Sequence, residues 1–326
     1  MRLTLILPLA FTVGFAVAGC GVDGKAMCPT TGPSPRAFAT AVLAPSYNEI
    51  YLYGGQTGTD LAGTAINSDE LWRYSFGACS GWLKETPVGT SPGGLSRYAA
   101  ALDTKRTRIL YVGGPTNDTW ALDINKLTWT KLLTAGVAPS VSQQPWAVYD
   151  AGNDQLIVGS VFAQPLQFAN SDDGNWADPL ELDSGLGSAA AIDPTRNEIF
   201  TWNGIEMDSY SIDRAVTSPV TYKGDQSGSF VDGIGWDPQA KHLLALSNAL
   251  AFSIDDVDAL GTVATVTQLA PAGMAPTPRT GAAFSITGSL AFMFGGKTTA
   301  GCFLGDWWYL TNENTWESRS VATTCP

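Results

Sequence analysis

Strands that end in a pair of glycines recur along this chain, and this repeat limits its fold more than any other feature. The clear examples read IYLYGG (50–55), ILYVGG (109–114) and AFMFGG (291–296), and weaker versions occupy 156–160, 199–204 and 243–248. An apolar strand and a polar hairpin precede each copy, and a further strand follows it. Such short strand–hairpin units predict an all-β protein.

A tryptophan marks the fourth strand of the repeat, and its spacing gives the repeat length. Trp82, Trp129 and Trp176 are 47 residues apart, and the 140 residues from Trp176 to Trp316 accommodate three more repeats. A single four-stranded unit could not bury both of its faces, whereas radial stacking buries them and leaves only short edges. The sequence therefore predicts a six-bladed β-propeller with four antiparallel strands in each blade.

The linkers between repeats also share a pattern. They include TGPSPRAFA (31–39), GTSPGGLSRYA (89–99) and GMAPTPRTGA (273–282). Together with the glycine pair and the fourth-strand tryptophan, this G-x-x-P…R pattern resembles the kelch repeat. The resemblance is specific in repeats 1, 2 and 6 and weaker in repeats 3 to 5, which have lost the glycine pair or the tryptophan. It implies a kelch-type propeller over residues 35–326.

Composition sets limits on the partners of such a domain. Hydrophobic residues make up 44% of the 326 residues, enough for a sizeable core. The chain has 30 acidic and 18 basic residues and a formal net charge of −12. Nucleic-acid binding needs clusters of Lys and Arg, so this balance argues against a nucleic-acid partner. It also provides no polybasic patch for a membrane surface.

The first 20 residues, MRLTLILPLAFTVGFAVAGC, predict an export signal. Their apolar run, from residue 3 to residue 18, is shorter than the roughly 20 residues of a spanning helix. The ending VAGC resembles the lipobox of bacterial lipoproteins, and a plain signal peptide is the alternative. The lipobox implies a cleaved signal at 1–19, a lipid on Cys20 and a lipidated tether at 20–34. Gly21 replaces the aspartate that marks inner-membrane retention in some bacteria, so we expect an outer-membrane protein of the cell envelope.

Four cysteines remain besides Cys20. An even number in an exported protein predicts two disulfides. Cys302 and Cys325 are expected on one face of the last blade, which would pair them and leave Cys28 for Cys79. Pairing of Cys28 with Cys325 is the alternative, and it would join the two ends of the ring.

Several kinds of catalytic site are poorly supported by the residues present. His242 is the single histidine, and it lies in a predicted hairpin turn. Copper propeller enzymes that resemble galactose oxidase require two histidine ligands, and a Ser-His-Asp triad would require His242 to leave its turn. The cysteine spacing is not that of a zinc site. The sequence predicts no cofactor and no metal.

The predicted ligand site is the mouth of the propeller channel, where the first strands begin. Arg36, Arg97 and Arg279 are placed at equivalent points of repeats 1, 2 and 6, which are neighbours in a closed ring. Trp146 and Asp232 are expected on the same rim. Converging guanidinium groups can hold a carboxylate. The alternative is that these arginines, as part of the kelch pattern, hydrogen-bond neighbouring loops.

These observations predict a monomeric, membrane-anchored binding module of the bacterial envelope that recognises a glycan or another protein, with no catalytic residue assigned. Fold alone does not give function. One alternative is an enzyme acting on an acidic sugar, resembling the sialic-acid mutarotases with six-bladed kelch propellers, because such an enzyme could work with Arg, Glu and Asp. A purely structural envelope protein is the third possibility.

Overall fold

The structure, a computed structural model, is built almost entirely of β-strands. It describes residues 31–76, 80–114, 118–136, 139, 145–160, 163–169, 174–179, 188–237, 239–287, 290–311 and 315–318. Within these ranges, 27 strands are accompanied by one 3-10 turn at Pro45–Tyr47. No helix in the described part is long and apolar enough to cross a membrane.

Five sheets consist of four antiparallel strands that follow one another along the chain. Their strands are β1 (Thr40–Ala44), β2 (Glu49–Tyr53), β5 (Leu71–Ser75) and β6 (Gly81–Glu85); β7 (Ala99–Asp103), β8 (Arg108–Gly113), β9 (Asp118–Asp123) and β10 (Thr128–Lys131); β11 (Trp146–Asp150), β12 (Gln155–Ser160), β13 (Ala163–Ala169) and β14 (Trp176–Pro179); β15 (Ala189–Asp193), β16 (Glu198–Trp202), β17 (Met207–Ser211) and β18 (Val216–Pro219); and β24 (Ala283–Thr287), β25 (Leu290–Phe294), β26 (Trp307–Thr311) and β27 (Thr315–Ser318).

One further sheet has five strands. Its strands are β20 (Gly233–Asp237), β21 (His242–Ser247), β22 (Leu250–Asp255), β23 (Val263–Gln268) and β19 (Thr221–Gly224). The first four are antiparallel, and β19 pairs with β23 in parallel. The prediction of six four-stranded antiparallel blades is therefore corrected, because five sheets have that form and this one does not. A separate hairpin of β3 (Gln56–Thr59) and β4 (Ala65–Asn67) lies between β2 and β5.

The fifth strand arises because linkers between sheets pair in parallel with the outer strand of the next sheet. The linker that follows β6 makes a single parallel bridge from Val88 to Thr128 of the next sheet. At Gly89 the linker passes close to the outer strand of that sheet, and φ is 90°. An added Cβ at Gly89 would lie 2.6 Å from the carbonyl oxygen of Trp129. Before the five-stranded sheet, the same parallel contact extends over four residues and becomes β19.

The sheets are arranged as a closed ring around a channel, which makes the fold a β-propeller. The first strands β1, β7, β11, β15, β20 and β24 are in contact in this order, and β24 contacts β1 again. The apolar cores lie between adjacent sheets, as expected when each face of a sheet is covered by its neighbour.

The tryptophans of the repeat occupy these cores. Trp82, Trp129, Trp176 and Trp316 lie on fourth strands, and each is at most 6% exposed. These residues therefore pack between adjacent sheets. Trp307 and its neighbour Trp308 point to opposite faces of β26 and pack into two different cores.

Candidate functional site

A cavity of about 440 Å³ opens at the end of the ring where the first strands begin. Its inner wall consists largely of alanines, which include Ala41, Ala100, Ala147 and Ala190. Because side chains alternate along a strand, these alanines mark the channel-facing positions of four neighbouring first strands. Their small side chains leave an open, apolar volume in the middle of the ring.

Arg97 stands two residues before β7 and lies at the rim of this cavity. Its guanidinium carbon lies 3.8 Å from the centroid of the Phe38 ring. Within the described part of the chain, no group accepts a hydrogen bond from this guanidinium, and the side chain is half-buried. Desolvation lowers the pKa of Arg97, but a guanidinium remains protonated at neutral pH. The rim therefore has a positive charge that is stacked on an aromatic ring and has no anionic partner among the described residues.

A chain of backbone hydrogen bonds fixes the position of Arg97. The Arg97 N–H donates to the Phe38 carbonyl at 2.9 Å, and the Phe38 N–H donates to the Gly281 carbonyl at 2.6 Å. All three residues stand two positions before a first strand, with φ of 62°, 59° and 66°. A Cβ on Gly281 would overlap the Phe38 ring, so only glycine lets this ring lie against the linker.

Asp232 lies just before β20, on the opposite side of the ring from Arg97. Two first strands separate β7 from β20 in either direction around the channel. One carboxylate oxygen of Asp232 accepts a hydrogen bond from the Asn248 N–H at 2.7 Å. No lysine or arginine of the described residues forms an ion pair with it. Desolvation raises the pKa of Asp232 to about 7, although the Asn248 hydrogen bond acts in the opposite direction.

Aromatic side chains occupy other parts of the rim. Trp146, the first residue of β11, packs against the backbone of Gly159 and is 7% exposed, so only an edge of the indole can face the cavity. Phe230 is half-exposed beside Asp232. The hydroxyls of Thr40, Ser188 and Thr280 also line the cavity, but each donates to a backbone carbonyl. Arg97 and Asp232 are therefore the charged groups among the described residues that a ligand would meet.

Arg36 and Arg279 do not line the cavity, although the sequence placed them beside Arg97. Arg36 is 1% exposed, donates to the Gly54 carbonyl at 3.0 Å and forms an ion pair with Glu70 at 2.6 Å. Arg279 repeats this arrangement in the last sheet, where it donates to the carbonyl of Gly295 and forms an ion pair with Asp306. These two arginines hold the glycine pair of their own sheet in place, whereas the alternative interpretation had them hydrogen-bond neighbouring loops.

The predicted equivalence of the three arginines is wrong by two residues. Arg36 and Arg279 stand four positions before β1 and β24, whereas Arg97 stands two positions before β7. Leu95 occupies the matching position in the second linker, and its carbonyl accepts from the Gly55 N–H as the Arg36 carbonyl accepts from the Gly296 N–H. The sequence contained a signal for this difference, because proline precedes Arg36 and Arg279 but serine precedes Arg97.

The other predicted site residues have different outcomes. Arg97, Trp146 and Asp232 line one cavity, while Phe38 and Phe230 were missed by sequence reasoning. His242 begins β21 at the far end of the sheet from Asp232, with its Nδ1 2.7 Å from an Asp255 carboxylate oxygen.

Cys302 lies between β25 and β26. The other cysteines, Cys20, Cys28, Cys79 and Cys325, fall outside the described residues. The pairing of the cysteines and the lipid on Cys20 therefore stay predictions.

Comparison with known proteins shows the fold and leaves the family open. No protein-family model matches the chain. Dynein regulatory complex subunit 7 of Chlamydomonas reinhardtii is 29% identical over 116 residues, which cover 34% of this chain and 10% of that protein. The solved structure of YjhT superposes with a TM-score of 0.59 at 12% identity and covers 89% of this chain and 99% of YjhT. The likeness to YjhT shows a β-propeller, and the glycine pairs and tryptophans support the kelch type.

Proposed function

We propose that the channel mouth binds a small carboxylate-bearing ligand, most simply an acidic sugar or the acidic unit of a glycan. The observation that carries this proposal is the Arg97 guanidinium, which lacks an anionic partner among the described residues and lies at the rim of a cavity of about 440 Å³. Cavities of about 300–1,000 Å³ are typical of small-molecule sites. A carboxylate can accept two parallel hydrogen bonds from one guanidinium, which gives both affinity and orientation.

The remaining groups of the mouth suit the rest of a sugar. Phe230 and the edge of Trp146 offer apolar surface for the faces of a pyranose ring. Asp232, across the channel from Arg97, can donate to or accept from a hydroxyl according to its protonation. The alanine wall leaves room for the ring itself. Binding in this arrangement requires no cofactor.

An enzyme acting on an acidic sugar is the second candidate, and Asp232 is the observation that favours it. A general acid or base works best when its pKa lies close to the operating pH. Asp232 has a pKa of about 7, which meets this condition, and it lies in the cavity lining. Conversion of a bound acidic sugar by the wild type, lost in Asp232→Asn, would favour the enzyme over the binding module.

The binding proposal is tested by calorimetry with D-glucuronate and N-acetylneuraminate, and with D-glucose as the neutral counterpart of glucuronate. We expect the acids to bind and glucose to bind at least about tenfold more weakly. Arg97→Ala should weaken binding of the acids by about 10- to 100-fold, because a hydrogen bond to a charged group contributes about 1.5–3 kcal/mol.

The matched control is Arg214→Ala, which removes a half-exposed arginine outside the cavity lining and should leave the affinity unchanged. Equal affinity of wild type and Arg97→Ala for an acid that binds would contradict the proposal. Failure of every acid to bind would instead favour the purely structural role.

We also propose that the protein is anchored to the bacterial envelope through Cys20. The VAGC ending of the apolar N-terminal run supports this proposal. Two or more acyl chains are expected to hold a protein stably in a membrane, whereas one chain binds only marginally. Mass spectrometry of the N-terminal peptide from native membranes should show a lipidated Cys20. An unmodified Cys20, or a mature terminus elsewhere, would contradict the anchor.

A further inference from the structure

The carboxyl group of Asp232 has a fixed position at the channel mouth, where an anionic ligand would enter. One of its carboxylate oxygens is held by the Asn248 N–H at 2.7 Å, and its own N–H donates to the Leu246 carbonyl at 2.8 Å. The carboxyl group is thereby fixed on the cavity wall, and no cation of the described residues pairs with it. The nearest charge in the same lining, Arg97, belongs to the opposite side of the ring.

The surroundings of Asp232 make its negative charge costly. Phe230, Val231 and Ile234 flank it in the cavity lining, and alanines form the inner wall. The Ser188 hydroxyl of the same lining donates to the Val231 carbonyl at 2.8 Å and forms no hydrogen bond with the Asp232 carboxylate. The Arg279 N–H donates to the side-chain oxygen of Asn248, whose own N–H binds Asp232. The Arg279 guanidinium is paired with Asp306 and not with Asp232.

We propose that the mouth takes up a proton on Asp232 when it binds a carboxylate ligand, so that acid binding is coupled to protonation of this one side chain. The inference rests on the proposed function and adds a regulation to the same site. A ligand carboxylate held by Arg97 places a second negative charge in an apolar cavity, and two like charges in such a cavity favour protonation of one of them. The neutral Asp232 can then donate its O–H to a ligand hydroxyl.

The other titratable groups of the lining do not take up or release a proton near neutral pH. They are Arg97 and Tyr98 among the described residues. Arg97 stays protonated up to strongly alkaline pH. Burial raises the pKa of the Tyr98 hydroxyl further above its ordinary value, so this group stays neutral. Among the described residues of the lining, only Asp232 therefore changes its charge between pH 5.5 and pH 8.5.

The sign of the pH dependence follows from this arrangement. Below about pH 6 Asp232 is already neutral, and binding requires no proton from solution. Above about pH 7 each binding event must take up one proton, so affinity falls by up to about tenfold for each pH unit. D-glucuronate stays ionised over this range, since its carboxyl is a simple acid, and it does not contribute to the slope.

The experiment measures binding of D-glucuronate to the full chain by calorimetry at pH 6.0, 7.0, 8.0 and 8.5. At pH 8.0 each titration is repeated in two buffers with different heats of ionisation, which counts protons taken up. We expect affinity at pH 6.0 at least about fivefold above that at pH 8.0, with uptake approaching one proton per ligand at pH 8.0. Asp232→Asn should bind with similar affinity at every pH and take up no proton. Its amide oxygen can still accept from the Asn248 N–H.

Asp69→Asn serves as the matched control, because Asp69 is exposed and outside the cavity lining. It should keep the wild-type slope. Equal affinity of the wild type at pH 6.0 and 8.5, or a slope that persists in Asp232→Asn, would overturn the coupling while leaving the binding proposal intact. Absence of glucuronate and N-acetylneuraminate binding at pH 6.0 would overturn the binding proposal and this inference together.

Discussion

Replacing Arg279 with alanine is expected to lower the free energy of unfolding by about 3–5 kcal/mol, with little direct effect on the channel mouth. Arg279 is 2% exposed, and its guanidinium donates to both carboxylate oxygens of Asp306, at 2.6 and 2.9 Å. The indole N–H of Trp308 donates to the same carboxylate at 2.7 Å. Removing the cation leaves a largely buried carboxylate without its counter-charge, the costly way to break a buried ion pair.

Urea denaturation of the wild type and Arg279→Ala measures this difference. Arg97→Ala is the matched control. It removes an arginine from the same end of the ring, and this arginine has no acidic partner among the described residues. It should cost about 1 kcal/mol or less, the value of its stacking on Phe38. A double variant, Arg279→Ala with Asp306→Ala, should lose less than the sum of the two single changes. Equal stability of Arg279→Ala and Arg97→Ala would contradict the assigned roles.

This contrast between arginines separates what the sequence could reveal from what it could not. Linker composition placed the arginines just before the first strands begin, and the structure has them there. The direction of each side chain depends on its distance from the strand, because backbone at φ near 60° sends Arg97 over Phe38. Four positions before the strand, Arg36 instead meets the carbonyl of Gly54 and the carboxylate of Glu70. A shift of two residues thus separates a structural ion pair from a candidate ligand group.

The repeat was predictable for a different reason. Its strands, hairpins and buried tryptophans depend on local pattern, and pattern is visible even in the weaker repeats. The fifth strand, β19, was not predictable in this way. Its sequence, TYKG, is short and polar, and it becomes a strand only because the neighbouring sheet offers the free edge of β23. The cavity was also hidden, because alanines on first strands look like ordinary core residues until the ring closes.

Trp129→Ala is the second change expected to have a large effect, a loss of about 3–5 kcal/mol in the free energy of unfolding. Trp129 is 5% exposed, and its ring centroid lies 5.0 Å from that of Tyr53 and 5.2 Å from that of Tyr111. Tyr53 belongs to the preceding sheet, so the indole fills the core between two sheets. Alanine would leave a cavity there, and aromatic contacts across the interface would be lost.

The effect should appear as a lower midpoint of one cooperative transition, because each sheet of a closed ring is buried against two neighbours. Thermal unfolding followed by circular dichroism and by tryptophan fluorescence tests this, with both signals moving together. Leu83→Ala is the matched control, since Leu83 lies next to Trp82 on a fourth strand but is 44% exposed. It should shift the midpoint only slightly. A midpoint unchanged in Trp129→Ala, or two separate transitions, would show that the sheets are not stabilised by mutual packing around the ring.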